Sequence, residues 1–236
     1  MKRNLCVATA SILTILLLHG PAFAGGWGPY FSWGREEPTV GIDEFEGIPL
    51  NVEGDGSVDH LTFGVMYESA PAQDKLFSYR GTLGFDIATN TSIQDIKFAG
   101  SSIPGSAEID LGENSKYGLS TNHTFAFGII RTDRLKWWVG PGIGLNFNYY
   151  DLDTLSSVPI SVVDPKAGHL SVGGGGETGV NVHLGSSVTL CVGGGIHWRA
   201  FGFAVGSDDI GSFFWGDGPL YFIQTSVLFR TGPDRS

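Results

Sequence analysis

Seven ionisable residues share one parity across alternating segments of this chain: Glu68, Arg80, Asp86, Glu177, His183, His197 and Arg199. Acids, bases and imidazoles gathered on one face can form a mutually paired network, a polar conduit or an ion site. Desolvated charges persist when they are paired, so an interior network of partners is the simplest expectation. If Leu184 pairs with Val188 in a tight turn, Glu177 and His197 lie diagonal to each other on one hairpin. A hydrolytic centre would need a hydroxyl or thiol beside its base, and the residue two places after His197 is Arg199. A second set of acids, Asp43, Glu44, Glu46, Glu53, Asp55 and Asp59, clusters early in the chain, with Asp208, Asp209 and Asp217 near the end. Carboxylate clusters suit hard cations, but this spacing matches no EF-hand loop and reads as a solvated acidic surface, so no metal is assigned. Phe213, Phe214 and Trp215 form an apolar tip among the later acids, and Trp215 joins Asp43, Glu44, Glu46, Asp208 and Asp209 as a candidate for surface binding. The glycine run Gly173–Gly176 lacks the Lys-Ser/Thr and the helix of a phosphate loop, and reads as close backbone approach within a strand.

The elements that must position these residues are strands. The chain has 236 residues, 36 of them Gly and 16 Phe, with 42% hydrophobic and only 16% charged residues and a net charge of −10. That balance excludes a disordered chain, and the acidic charge without a basic stripe argues against nucleic acid. Residues 1–24 read as a cleaved signal peptide: Lys2 and Arg3, an apolar stretch from Leu5 to Leu18, and an Ala-Phe-Ala cleavage site ending at Ala24. Residues 25–236 then form one exported domain in which Cys191 is the sole cysteine. Period-two alternation is clearest from Leu135 to Tyr149, where Leu135, Trp137, Val139, Ile143, Leu145, Phe147 and Tyr149 share a face. Similar alternation over 57–69, 76–89, 117–131, 169–184 and 188–200, with less regular segments at 27–33 and 221–229, makes eight strands. Connections at 71–75, 132–134 and 185–187 are short, while 35–57, 90–116, 153–168 and 206–220 are long. An even strand count with tight turns at one end and long loops at the other describes an all-β, antiparallel up-and-down barrel.

Alternation fits both a soluble barrel with its apolar face inside and a membrane barrel with that face outside. The polar face decides. It carries mainly Gly, Ser, Thr and Asn, which fill a narrow eight-stranded interior, rather than the Lys, Glu and Asp of a water-facing surface. Pairing Arg131 with Leu135 would set Gly128 opposite Trp138, small against large. Tyr67, Phe77, Tyr79, Trp137 and Phe229 fall toward the short turns, and Tyr117, Tyr149, Trp198 and Tyr221 toward the long loops. Two aromatic belts around an aliphatic band are expected of a transmembrane barrel with periplasmic turns and extracellular loops. An open channel is not expected, because eight strands leave room only for side chains.

The segment from Leu135 to Phe147, Leu-Lys-Trp-Trp-Val-Gly-Pro-Gly-Ile-Gly-Leu-Asn-Phe, resembles the strand signature aromatic-Val-Gly-x-Gly-Ile/Val-Gly of small Gram-negative outer-membrane barrels. In strand number, turn pattern and signal peptide the whole chain is similar to OmpW-like or OmpX-like proteins. It departs from them in running on from Phe229 to Ser236 rather than ending on an aromatic residue. The resemblance implies residence in the cell outer membrane, lipid and lipopolysaccharide as neighbours, and barrel assembly machinery and periplasmic chaperones as partners in biogenesis. The inward residues themselves favour a non-enzymatic surface barrel without cofactors, its interior plugged by Glu68, Arg80, Asp86, Glu177, His197 and Arg199. Two alternatives accompany it: a lipid A-modifying, deacylase-like enzyme, whose His-x-Ser pair is here His197-Trp198-Arg199, and a small-molecule conduit of the OmpW type.

Overall fold

A computed structural model describes residues 25–45, 48–69, 76–98, 101–102, 109–110, 116–151, 166–207 and 210–231. Residues 1–24, where a signal peptide is expected, and residues Glu46, Asp208 and Asp209 lie outside these, and the side chains of Asp43, Glu44, Phe213 and Phe214 are likewise not described. Every described element is extended. The strands are β1 (Gly25–Glu36), β2 (Thr39–Phe45), β3 (Ile48–Glu68), β4 (Phe77–Phe98), β5 (Ser101–Ser102), β6 (Ile109–Asp110) and β7 (Lys116–Arg131). They continue with β8 (Leu135–Asp151), β9 (Lys166–His183), β10 (Val188–Ser207) and β11 (Ile210–Thr231).

Antiparallel pairing runs β1–β3–β4–β7–β8–β9–β10–β11 and returns from β11 to β1, closing an eight-stranded barrel. Closure gives every barrel strand two neighbours, which a sheet in lipid requires because no water is there to satisfy an edge. Strands β2, β5 and β6 lie beyond the wall, β2 against β3 and β11, the other two against β4.

The tight turns are built locally. Thr132 accepts the Leu135 N–H on its hydroxyl at 3.1 Å, and its own N–H donates to the Leu135 carbonyl at 2.8 Å. The Leu184 N–H donates to the Val188 carbonyl at 2.9 Å, with Gly185 at φ 104° supplying the left-handed residue between them. The turn after β7 differs from the expected pairing: Arg131 faces Lys136, not Leu135. A bulge between Gly128 and Ile130 absorbs the extra residue, so Gly128 still sits opposite Trp138.

Two of the connections read as long loops are largely sheet where described. Residues 35–57 hold a β2–β3 hairpin that also touches β11, and 206–220 continue the β10–β11 ladder up to the pair Ser207–Ile210. A membrane strand needs about 9–11 residues; β3, β4, β10 and β11 have 21, 22, 20 and 22. The surplus projects past the long-loop end.

The outward face is apolar. Trp27, Phe31, Trp33, Leu119, Phe147, Ile196, Trp198, Tyr221 and Phe229 are all exposed there. On β11 the apolar stretch from Tyr221 to Phe229 spans roughly 20 Å along the membrane normal at the usual strand tilt, close to the apolar height of such barrels. Arg35 and Asp217 cap it above, and Arg230 follows it below. From Gly26 onward strand β1 alternates, buried and exposed in turn. It reads as less regular in sequence because Tyr30 is an aromatic residue facing inward, where it meets Met66, Cys191 and Leu228. The last strand misleads in the same way, since Leu220, Phe222 and Leu228 point inside.

Candidate functional site: the barrel interior

Two polar clusters divide the interior. The lower, toward the tight turns, centres on Glu68, which is fully buried and opposite Arg80 on the neighbouring strand. Its carboxylate accepts from Ser78 at 3.1 Å and from Asn181 at 3.1 and 2.9 Å. Lys136 Nζ stands 3.7 Å and Arg80 Nε 3.8 Å away, and Lys136 also donates to Ser78 at 3.0 Å. The Arg80 guanidinium lies 4.1 Å over the Trp138 ring, whose indole N–H donates to Asn181. Trp138 fits because its neighbours are small: a Cβ at Gly179 or Gly193 would press on its ring. With Met66 and Leu228, these buried side chains fill the cross-section.

The upper cluster is open. Residues Tyr30, Ser32, His60, Asp86, Ser120, Asn122, Asn146, His197, Arg199 and Phe222 surround a cavity of about 30 Å³, room for one or two water molecules. His60 bridges two carboxylates, with Nδ1 3.0 Å from Asp86 and Nε2 3.0 Å from Glu36. A neutral imidazole has one N–H, so the tautomer decides which of the two contacts the ring donates. Asp86 further accepts from Thr62 at 2.8 Å and Asn146 at 3.1 Å, and Arg199 stands 3.6 Å from Glu36. Glu177 accepts from Asn122 and Thr124, each at 2.8 Å, and lies 2.9 Å from His197 Nε2. The pairs Glu177–Gly195 and Gly175–His197 make that contact diagonal. Gly142 makes room for it, since a Cβ there would overlap the Glu177 carboxylate and His197. In the glycine run, Gly173 and Gly175 face inward, where a Cβ would meet Arg199 and the Ile196 carbonyl.

Of the residues singled out by sequence, Glu68 and Arg80 belong to the lower cluster and Asp86, Glu177, His197 and Arg199 to the upper. His183 is buried near the lower turns and meets Thr189 at 2.9 Å. Trp215 is exposed where β11 meets β2, its ring against Gly41, and Asp217 accepts the Trp198 indole N–H at 2.8 Å. Among the described residues no group of three or more His, Cys, Asp or Glu could hold a metal ion.

Reading by charge passes over Glu36, His60, Asn122, Asn146 and Lys136. Parity is the available signal. Glu36 continues the inward series Tyr30, Ser32, Gly34, but falls in a segment that reads as loop; His60 shares the parity of Met66 and Glu68. Outside, His123 breaks the apolar stripe on the lipid-facing side of β7. It is bonded to the Tyr79 hydroxyl at 2.6 Å and lies 3.1 Å from the Thr121 hydroxyl, so its polar atoms are satisfied at the surface.

No family profile and no curated protein sequence matches the chain. Solved structures do. The outer membrane protein OprG from Pseudomonas aeruginosa superposes with a TM-score of 0.52 at 11% identity, over 89% of this chain and 98% of that one. A major outer membrane protein from Thermus thermophilus gives 0.44 at 13% identity, over 86% and 99%. The chain therefore has the fold of the small outer-membrane β-barrels, an all-β antiparallel up-and-down barrel of eight strands.

Proposed function

We propose that this chain is a non-enzymatic barrel of the outer membrane, closed to through-passage, that presents its extended upper hairpins to the environment. The fully buried lower cluster of Trp138, Arg80, Glu68, Lys136, Met66 and Leu228 carries this reading. Its apolar exterior, bounded by aromatic residues at both ends, suits lipid and lipopolysaccharide as neighbours. Residues 1–24 supply export, and residues 25–236 form the barrel, delivered by periplasmic chaperones to the assembly machinery. Against a deacylase-like activity, His197 is bonded to Glu177 inside the barrel and Arg199 pairs with Glu36, so neither faces lipid.

Planar-bilayer recording tests the closed interior. The native protein is expected to show no stepwise conductance, and the floor variant Trp138→Gly to show discrete openings. Steady ohmic channels from the native protein would overturn the reading in favour of a conduit. Release of fatty acid from lipopolysaccharide by the purified barrel would overturn it in favour of an enzyme.

A further inference from the structure

Beyond the long-loop end the sheet parts along one line, between the β2–β3 and β10–β11 hairpins. Strand β1 is paired on both sides up to Glu36, which meets Leu220 on β11 and Val58 on β3. Strand β2 then takes that place, but its pairing with β11 covers only Thr39–Asp217, Val40–Gly216 and Gly41–Trp215. Past this point the two strands separate. Among the described residues, 210–214 of β11 pair with β10 alone, and Ile42, Glu44 and Phe45 of β2 pair with β3 alone. Each strand therefore carries a row of N–H and C=O groups with no sheet neighbour on one side.

The two edges differ. That of β2 is broken by a bulge between Ile42 and Glu44 and carries the charges of Asp43 and Glu44, both of which blunt an edge. The β11 edge has neither protection. Its ladder with β10 runs without a register shift through all 20 residues of β10, and the sequence Ile210-Gly-Ser-Phe-Phe holds no lysine and no proline. A straight, apolar, unprotected edge is a template for one more strand.

Charge says which strand. The β2 pairings bring together acids far apart in sequence: Asp43 and Glu44 on β2, Asp55 opposite Thr39 on β3, and Asp217 opposite the same Thr39 on β11. The described cations nearby already stand by acids, Lys97 opposite Glu53 and Arg35 at 3.2 Å from Glu37. A second copy of the chain would set these acids against their own kind, whereas a basic segment complements them. We propose that the free edge of β11 at 210–214 receives an extended cationic segment of a partner protein as an added strand, its backbone bonded to β11 and its lysines or arginines drawn by the acids around Thr39. This rests on the reading that the upper hairpins meet the environment.

The whole protein in zwitterionic detergent tests this. Fluorescence anisotropy follows a short labelled peptide that alternates lysine and valine. One control peptide has glutamate for lysine, and a second keeps the lysines but is N-methylated at its central amides, which blunts both of its edges. The barrel should bind the lysine peptide saturably and each control at least tenfold more weakly. Amide hydrogen exchange at 210–214 should slow when the lysine peptide binds. Asp43→Asn combined with Glu44→Gln should weaken binding severalfold and leave the unboiled gel band unchanged. Equal binding of the N-methylated peptide would overturn strand addition in favour of adsorption to an acidic surface, and equal binding of the glutamate peptide would overturn the cationic partner. Protection at 210–214 that grows with protein concentration in the absence of peptide would overturn it in favour of a second copy. No saturable binding, or binding with unchanged exchange at 210–214, would overturn the site. Bilayer conductance is recorded separately, so an open channel and an absent strand site are told apart.

Discussion

The two halves of the interior share one barrel and opposite designs. Below, one acid, Glu68, meets two cations, Arg80 and Lys136, among large buried side chains. Above, acids outnumber permanent cations, and the inward positions include Gly34, Ser32, Ser120, Gly142 and Gly144. The radius set by eight strands is constant, so side-chain volume alone decides whether a level is a plug or a pocket. Above, the amide oxygens of Asn122 and Asn146 are buried without a hydrogen-bond partner, as is Arg80 Nε below.

Glu68→Ala breaks the contrast most. It strands Arg80 and Lys136 in the packed floor and should cost about 3–5 kcal/mol, read as a lower urea midpoint for refolded barrel in lipid vesicles. A loss under about 1 kcal/mol, the scale of an exposed pair, would mean that the floor is hydrated. Above, His60→Leu removes the link between Glu36 and Asp86. A cost of about 1–3 kcal/mol is expected for carboxylates deprived of donors, with Glu68→Ala remaining the larger in the same titration.

The two upper glycines sharpen the picture. Gly142→Ala collides with the Glu177 carboxylate and should destabilise by about 1–3 kcal/mol, whereas Gly144→Ala should lie within about 0.5 kcal/mol of native. Equal effects would remove the distinction between a filled and an open position. The smallest change belongs to the outer face. Tyr79→Phe deletes the 2.6 Å bond to His123 and should cost about 0.5–1.5 kcal/mol, without altering conductance.

Much of the barrel was legible because a two-residue period is a local property. Leu135 to Tyr149 shows which face is apolar with no knowledge of its neighbours, and the turns around Thr132 and Gly185 set antiparallel order by themselves. Strand extent was less legible. Residues 35–57 and 206–220 are polar and glycine-rich, and they become strand only because β2, β3, β10 and β11 hydrogen-bond to one another across the chain.

The interior shows the same divide. Sequence alone determined that Glu68, Arg80, Asp86, Glu177, His197 and Arg199 share a parity, since successive side chains on a strand point to opposite faces. It also determined the diagonal relation of Glu177 to His197, because one tight turn sets the register of their hairpin. Only the closed structure decided the rest. Glu36, His60 and Asp86 meet through contacts that join β1, β3 and β4, and Asn146 reaches Asp86 from β8, 60 positions along the chain. Which charges become partners depends on the stagger at which the sheet closes, and stagger is a sum over every pairing in the barrel rather than a property of any segment.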